Sequence, residues 1–84
     1  MNEHLTEQTV KTLLAKRLLR HSKRCDETRE SLKHAYSPED IYQHSRRLSE
    51  RLSAIDELQE VWERLFGNTP TLAEVHQHAT HEEN

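Results

Sequence analysis

The region between residues 38 and 66 carries the strongest hydrophobic pattern of the chain. Core-type positions recur there at alternating steps of four and three residues, which is the spacing of a helix that packs lengthwise against another helix. These positions are Ile41, Ser45, Leu48, Leu52, Ile55, Gln59, Trp62 and Phe66. Ser37 and Pro38 suit the start of such a helix, and Gly67 suits its end. The pattern predicts one long helix over 38–66.

A second amphipathic pattern precedes this helix and extends from Val10 to Leu32. Thr6 can cap its start, and the proline that follows the pattern disfavours helical geometry just before it, so we expect an end near Ala35. We therefore predict a first helix over about 6–35. A link this short makes the two helices antiparallel neighbours, and the sequence predicts an all-α fold built on a long antiparallel helical hairpin.

Charged residues agree with one register of the hairpin. If Leu18 is placed opposite Ile55, Arg17 comes to lie opposite Asp56. Such pairs contribute at most about 1 kcal/mol each, but together they favour one register over others. The same register predicts three further ion pairs between the helices: Lys16–Glu57, Asp26–Arg47 and Glu27–Arg46.

The C-terminal region predicts a short third helix. It could start at Thr69-Pro70 or at Thr71, and the second start has the spacing of a capping box with Glu74. Leu72 and Val75 are the only apolar anchors that we assign to this helix. From His76 onwards the chain is polar, and we expect it to be frayed. The predicted organisation has three parts: a flexible N-terminus at 1–5, a hairpin domain at 6–67, and a short helix with a His/Glu-rich tail at 68–84.

Both predicted helices carry more apolar residues than a two-helix contact can bury. We interpret the excess as a binding surface for a second copy of the chain or for a helix of another protein. The predicted partner-binding residues are Val10, Leu13, Leu14, Ile55, Leu58, Val61, Trp62, Leu65 and Phe66. Two alternatives remain open: Leu72 and Val75 fold back over this surface, or Trp62 belongs to the core.

Composition supports the prediction of a partner. Only 17 of the 84 residues are Leu, Ile, Val or Phe, which is a thin core for one small domain, and a dimeric helical bundle would enlarge it. A single cysteine, Cys25, excludes an internal disulfide, and no apolar run is long enough to span a membrane. The first four residues lack the basic and apolar parts of a secretion signal, so we expect none. We therefore expect a cytoplasmic protein with no membrane partner.

A basic stretch between residues 11 and 24 gives the alternative function, a small nucleic-acid-binding regulator that acts as a dimer. The residues assigned to it are Lys16, Arg17, Arg20, Lys23 and Arg24. In the hairpin register, four acids lie alongside this stretch and would neutralise much of its field: Asp56, Glu57, Glu60 and Glu63. Nucleic acid is accordingly the second choice of partner.

Other reactive residues give no pattern of catalysis. His76, His78 and His81 cluster near the C-terminus, but without a rigid frame we assign them to a polar tail and predict no metal or other cofactor. There is no nucleophile motif or phosphate loop, so we predict no enzyme and no small-molecule substrate.

The sequence thus predicts a non-enzymatic interaction module of the adaptor, chaperone-like or regulatory kind. Its architecture is similar to that of small bacterial adaptors, secretion co-chaperones and phage or plasmid regulators. That similarity is one of shape, without a shared motif.

Overall fold

Three helices make up the part of the chain that the computed structural model describes, residues 6–81 with the side chain of His81 excepted. They are α1 (Glu7–Lys33), α2 (Pro38–Phe66) and α3 (Leu72–His81). No strand occurs among these residues, so the predicted all-α class is confirmed. The predicted flexible segment at 1–5 and the end of the tail at 82–84 lie outside the described residues.

Local side-chain chemistry sets the helix ends. The Ser37 hydroxyl accepts a hydrogen bond from the backbone N–H of Asp40 at 3.1 Å and caps α2, and Thr6 caps α1 in the same way. At the other end of α2, Gly67 is left-handed, with φ of 83°, and its N–H donates to the carbonyl of Glu63 at 2.8 Å. These ends agree with the sequence, except that α1 stops at Lys33, slightly before the predicted boundary.

A reciprocal capping box starts α3. The Thr71 N–H donates to Glu74 Oε1 at 3.2 Å, and the Glu74 N–H donates to Thr71 Oγ1 at 3.1 Å. The helix then continues to His81, so the expectation of fraying from His76 onwards is wrong. Ala79 explains the difference, because it is buried in the core and holds the second half of α3 in place.

The helix α1 packs against both α2 and α3. Two contacts show that α1 and α2 are antiparallel. Leu18 of α1 shares the core with Trp62 of α2, whereas His21, which comes later in α1, lies 3.3 Å from Arg51, which comes earlier in α2. The predicted helical hairpin is therefore present, and the third helix covers one side of it.

The core is small and lies at the open end of the hairpin, where Trp62 is fully buried. Its ring makes an edge-on contact with Phe66, with centroids 5.4 Å apart, and a tilted contact with His78 of α3 at 5.8 Å. The buried cluster consists of Ala15, Leu18, Trp62, Val75 and Ala79, with Leu14, Leu19, Ile55, Leu58 and Phe66 packed against it.

Two of the predicted ion pairs between the helices are replaced by pairs within one helix. Asp26 pairs with Arg29 at 3.5 Å, and Arg46 pairs with Glu50 at 3.5 Å. The predictions of Asp26–Arg47 and Glu27–Arg46 bridges are therefore wrong. A partner one turn away on the same helix is always within reach, whereas a bridge to the other helix must hold two long side chains in one extended geometry.

The left-handed end of α2 gives a test of the chain reversal before α3. A Cβ added at Gly67 would meet no atom within 4 Å, so a Gly67→Ala substitution costs only backbone strain, about 1 to 2 kcal/mol of the free energy of unfolding. Gly67→Asn is the control, and it should cost less because asparagine tolerates this conformation. Urea unfolding followed by circular dichroism measures both, and equal losses would contradict the explanation.

Candidate interaction surfaces

The nine predicted partner-binding residues do not form one free surface. Trp62 is fully buried between the three helices, so its assignment to partner binding is corrected to the core. Four others are partly buried against the core cluster: Leu14, Ile55, Leu58 and Phe66. The third helix therefore covers part of the apolar excess. It does so through Val75 and Ala79, while Leu72, the other predicted anchor, is 68% exposed.

Three large aliphatic side chains remain exposed at the open end of the hairpin. Leu13 of α1 is 54% exposed, and Val61 and Leu65 of α2 are 42% and 57% exposed. Val10, which precedes Leu13 by about one turn of α1, is half-buried. We call the set formed by Leu13, Val61 and Leu65, with Val10, Leu14 and Leu58 at its margin, the apolar surface.

The apolar surface lies on the side of the hairpin that α3 leaves uncovered. Gln8 of α1 hydrogen-bonds His78 of α3 at 3.2 Å, and Thr12 and Ala15 of α1 are buried. These three residues follow one another at steps of four and three, so they lie on one face of α1, the face toward α3. Leu13 falls outside that face. On α2, Gln59 lines a pocket beneath α3, and the stripe through Val61 and Leu65 lies on the other side of Trp62.

The pocket beneath α3 has a volume of about 170 Å³ and a mostly apolar lining. It lies at the junction of the three helices, where Pro70 is buried and Leu72 forms its outer edge. Its lining residues are Leu18, Leu19, Ser22, Ile55, Gln59, Pro70, Leu72 and Val75. It is small beside ordinary ligand sites of about 300 Å³ or more, so we assign it no ligand.

The basic residues proposed for nucleic acid are placed mainly at the surface of α1. Arg17, Arg20, Lys23 and Arg24 are exposed, and Lys16 is half-buried. The hairpin brings arginines of α2 toward Arg24, which the sequence assignment did not include. Together they line an open groove of about 370 Å³ on the side of the hairpin away from α3. The lining of this basic groove is Arg24, Glu27, Thr28, Ser31, His44, Arg47 and Arg51.

His21 lies at the end of the basic groove, between the helices. Arg51 Nη1 donates a hydrogen bond to His21 Nδ1 at 3.3 Å, so this ring nitrogen accepts and carries no proton. Burial lowers the pKa of His21 below its ordinary value of 6.5, and the positive charge of neighbouring arginines lowers it further. These neighbours are Arg51, Arg20, Arg17 and Arg24.

Polar groups also meet around the buried tryptophan. Lys11 Nζ lies 4.8 Å from the centroid of the Phe66 ring and pairs with Glu7 at 3.0 Å. Trp62 Nε1 has no hydrogen-bond partner among the described residues. Cys25, nearer to the connecting turn, is also buried. Within the part of the chain that the structure describes, no group of three His, Cys, Asp or Glu side chains is arranged to hold a metal ion.

Comparisons with known proteins add no functional assignment. A scan against protein-family models found no match, and neither did a comparison with curated proteins or one with solved structures. None of the described helices is long and apolar enough to cross a membrane. The apolar surface and the basic groove are therefore the observations from which a function is inferred.

The lowered pKa of His21 predicts a specific loss of stability in acid. Below pH 6.5 the unfolded chain protonates this histidine more readily than the folded chain does, so its contribution to stability is complete above that pH and falls as the pH decreases. A His21→Gln variant lacks this titration. We expect thermal melts between pH 8 and pH 5 to show a smaller acid loss for His21→Gln than for the wild type.

The control for this measurement is His34→Gln, which removes an exposed histidine paired with Glu30 at 3.3 Å. It should follow the wild-type acid profile more closely than His21→Gln does. Parallel profiles for the wild type and His21→Gln would contradict the prediction.

Proposed function

We propose that the protein is a non-enzymatic interaction module whose apolar surface binds a second copy of the chain. The observation that carries this proposal is the exposure of Leu13, Val61 and Leu65 on the side of the hairpin that α3 does not cover. Aliphatic side chains gathered from two helices at one end of a small domain are typical of an interface. This function deepens the predicted interaction role by choosing one partner.

The small size of the core supports the binding of a partner. Its fully or nearly fully buried large side chains are few, with Trp62 and Leu18 the largest contributors. Covering the exposed half of an aliphatic side chain contributes about 1 kcal/mol, so covering three of them on each copy adds substantially to a marginal domain. Association would therefore stabilise the fold and the complex together.

The spacing of charged and apolar residues along α1 and α2 favours a second copy of the chain as the partner. Arg17 follows Leu13 by four residues on α1, and Glu57 precedes Val61 by four residues on α2. If α1 of one copy lies antiparallel to α2 of the other, Leu13 faces Val61, and Arg17 then faces Glu57. Two-fold symmetry repeats both contacts, so one register satisfies the apolar and the charged positions at once.

The apolar part of this interface is tested by Leu13→Gln combined with Leu65→Gln. Glutamine keeps the helix propensity but removes the apolar contact, so we expect the dimer dissociation constant to rise by at least about 30-fold. Sedimentation equilibrium over a range of concentrations measures it. Leu72→Gln is the control, because Leu72 is even more exposed than Leu13 and Leu65 but lies on α3, and it should leave association unchanged.

A wild-type chain that stays monomeric over this range would overturn the choice of a second copy. So would a double variant that associates as strongly as the wild type while retaining its helical circular dichroism.

The charged part is tested by exchanging the signs. Arg17→Glu and Glu57→Arg each place like charges opposite one another in a homodimer, so each variant alone should associate several-fold more weakly. In the mixed dimer that an equimolar mixture of the two variants can form, both symmetric contacts join opposite charges again: one is the wild-type pair, and the other is the same pair with its signs exchanged. We expect the mixture to associate more strongly than either variant, measured by sedimentation. A mixture that behaves as the average of its parts would contradict the proposed register.

A further inference from the structure

The basic groove has an origin different from that of the apolar surface. Arg24 comes from α1, and Arg47 and Arg51 come from successive turns of α2, so the groove exists only because the hairpin brings the two helices together. Arg20 precedes Arg24 by one turn of α1 and is also exposed. The groove is thus lined by one arginine of α1 and two arginines of α2, and the α2 pair is separated by about 6 Å along the helix axis.

These cations have little internal compensation. Arg46 and Arg64, which lie outside the groove, pair with Glu50 and Glu60 on their own helix. By contrast, among residues 6–81 no carboxylate lies within ion-pair distance of Arg20, Arg47 or Arg51.

The only acid in the lining is Glu27. It lies 4.0 Å from Arg24, and both side chains are more than half exposed, so the pair screens little of the charge. The groove is therefore locally basic although the whole chain carries a net charge of −3.

His21 supports this description of the local field. Its lowered pKa has burial as the first cause and the surrounding arginines as the second, so positive charge is concentrated at the groove even after the fold has formed.

We propose that the basic groove binds the phosphate backbone of a nucleic acid strand without reading its base sequence. A single phosphate needs one or two guanidinium groups, whereas three arginines distributed over both sides of an open groove suit consecutive phosphates of a polymer. The lining contains no Phe, Tyr or Trp side chain on which a base could stack, and His44 supplies its one aromatic ring, so the contacts available are mainly electrostatic. The groove is formed within one copy of the chain, so a monomer can bind, and this proposal does not rest on the proposed dimer.

The test is fluorescence anisotropy of a labelled, mixed-sequence single-stranded DNA with the full chain. We expect binding that weakens between about 50 and about 200 mM KCl, because condensed counterions are released on association. Arg47→Ala combined with Arg51→Ala should weaken binding by about 10-fold or more at the lower salt and reduce the salt slope by about 1 to 2. Arg47→Ala alone should weaken it by about 3-fold, and this variant leaves the His21–Arg51 bond in place.

The matched control is Arg46→Ala combined with Arg64→Ala, which removes the same charge from the same helix outside the groove. It should change affinity by less than about 2-fold. The proposal is overturned if the wild type shows no salt-dependent binding, or if the groove and control variants lose affinity equally. Displacement of the DNA by polyglutamate as efficiently as by unlabelled DNA of equal charge would also overturn it, in favour of an acidic protein partner.

Discussion

The burial of Trp62 is the interaction on which the rest of the structure depends. Its side chain is fully enclosed, it contacts Phe66 of its own helix, and it reaches α3 through His78. Since α1 packs against both other helices, the tryptophan joins all three elements in one small core. Truncating a buried tryptophan to alanine costs about 3 to 5 kcal/mol, which is a large part of the stability of a domain of this size.

The position of this core explains why the two halves of the hairpin differ. Near the open end, Val75 and Ala79 of α3 cover the apolar side chains of the hairpin and complete the core. Toward the connecting turn there is no third helix, and Cys25 is the one residue of that half that is buried as deeply as the core. In this half, α1 and α2 also make polar contacts, such as the hydrogen bond from Arg51 to His21. Arginines and hydroxyl groups are among the residues that line the neighbouring groove.

The helix ends set by local chemistry and the hairpin imposed by the short link could be predicted from the sequence, whereas the docking of the third helix could not. The caps at Ser37, Gly67 and Thr71 each depend on a few adjacent residues, and all three are present. The docking of α3 depends on Ala79, a residue with a weak apolar signal that becomes decisive only beside α1. The burial of Trp62 follows from the same docking, so its role could not be decided from helical periodicity alone.

The two proposed surfaces are physically linked because they share one side of the hairpin. In the proposed two-fold dimer, α1 of one copy runs antiparallel to α2 of the other, so both hairpins point in the same direction and their basic grooves face each other. Arginines that meet across the symmetry axis repel, which separates the ends that carry the connecting turns while the apolar ends hold the copies together. A polyanion between the two grooves offsets this repulsion, so phosphate binding and self-association would strengthen each other.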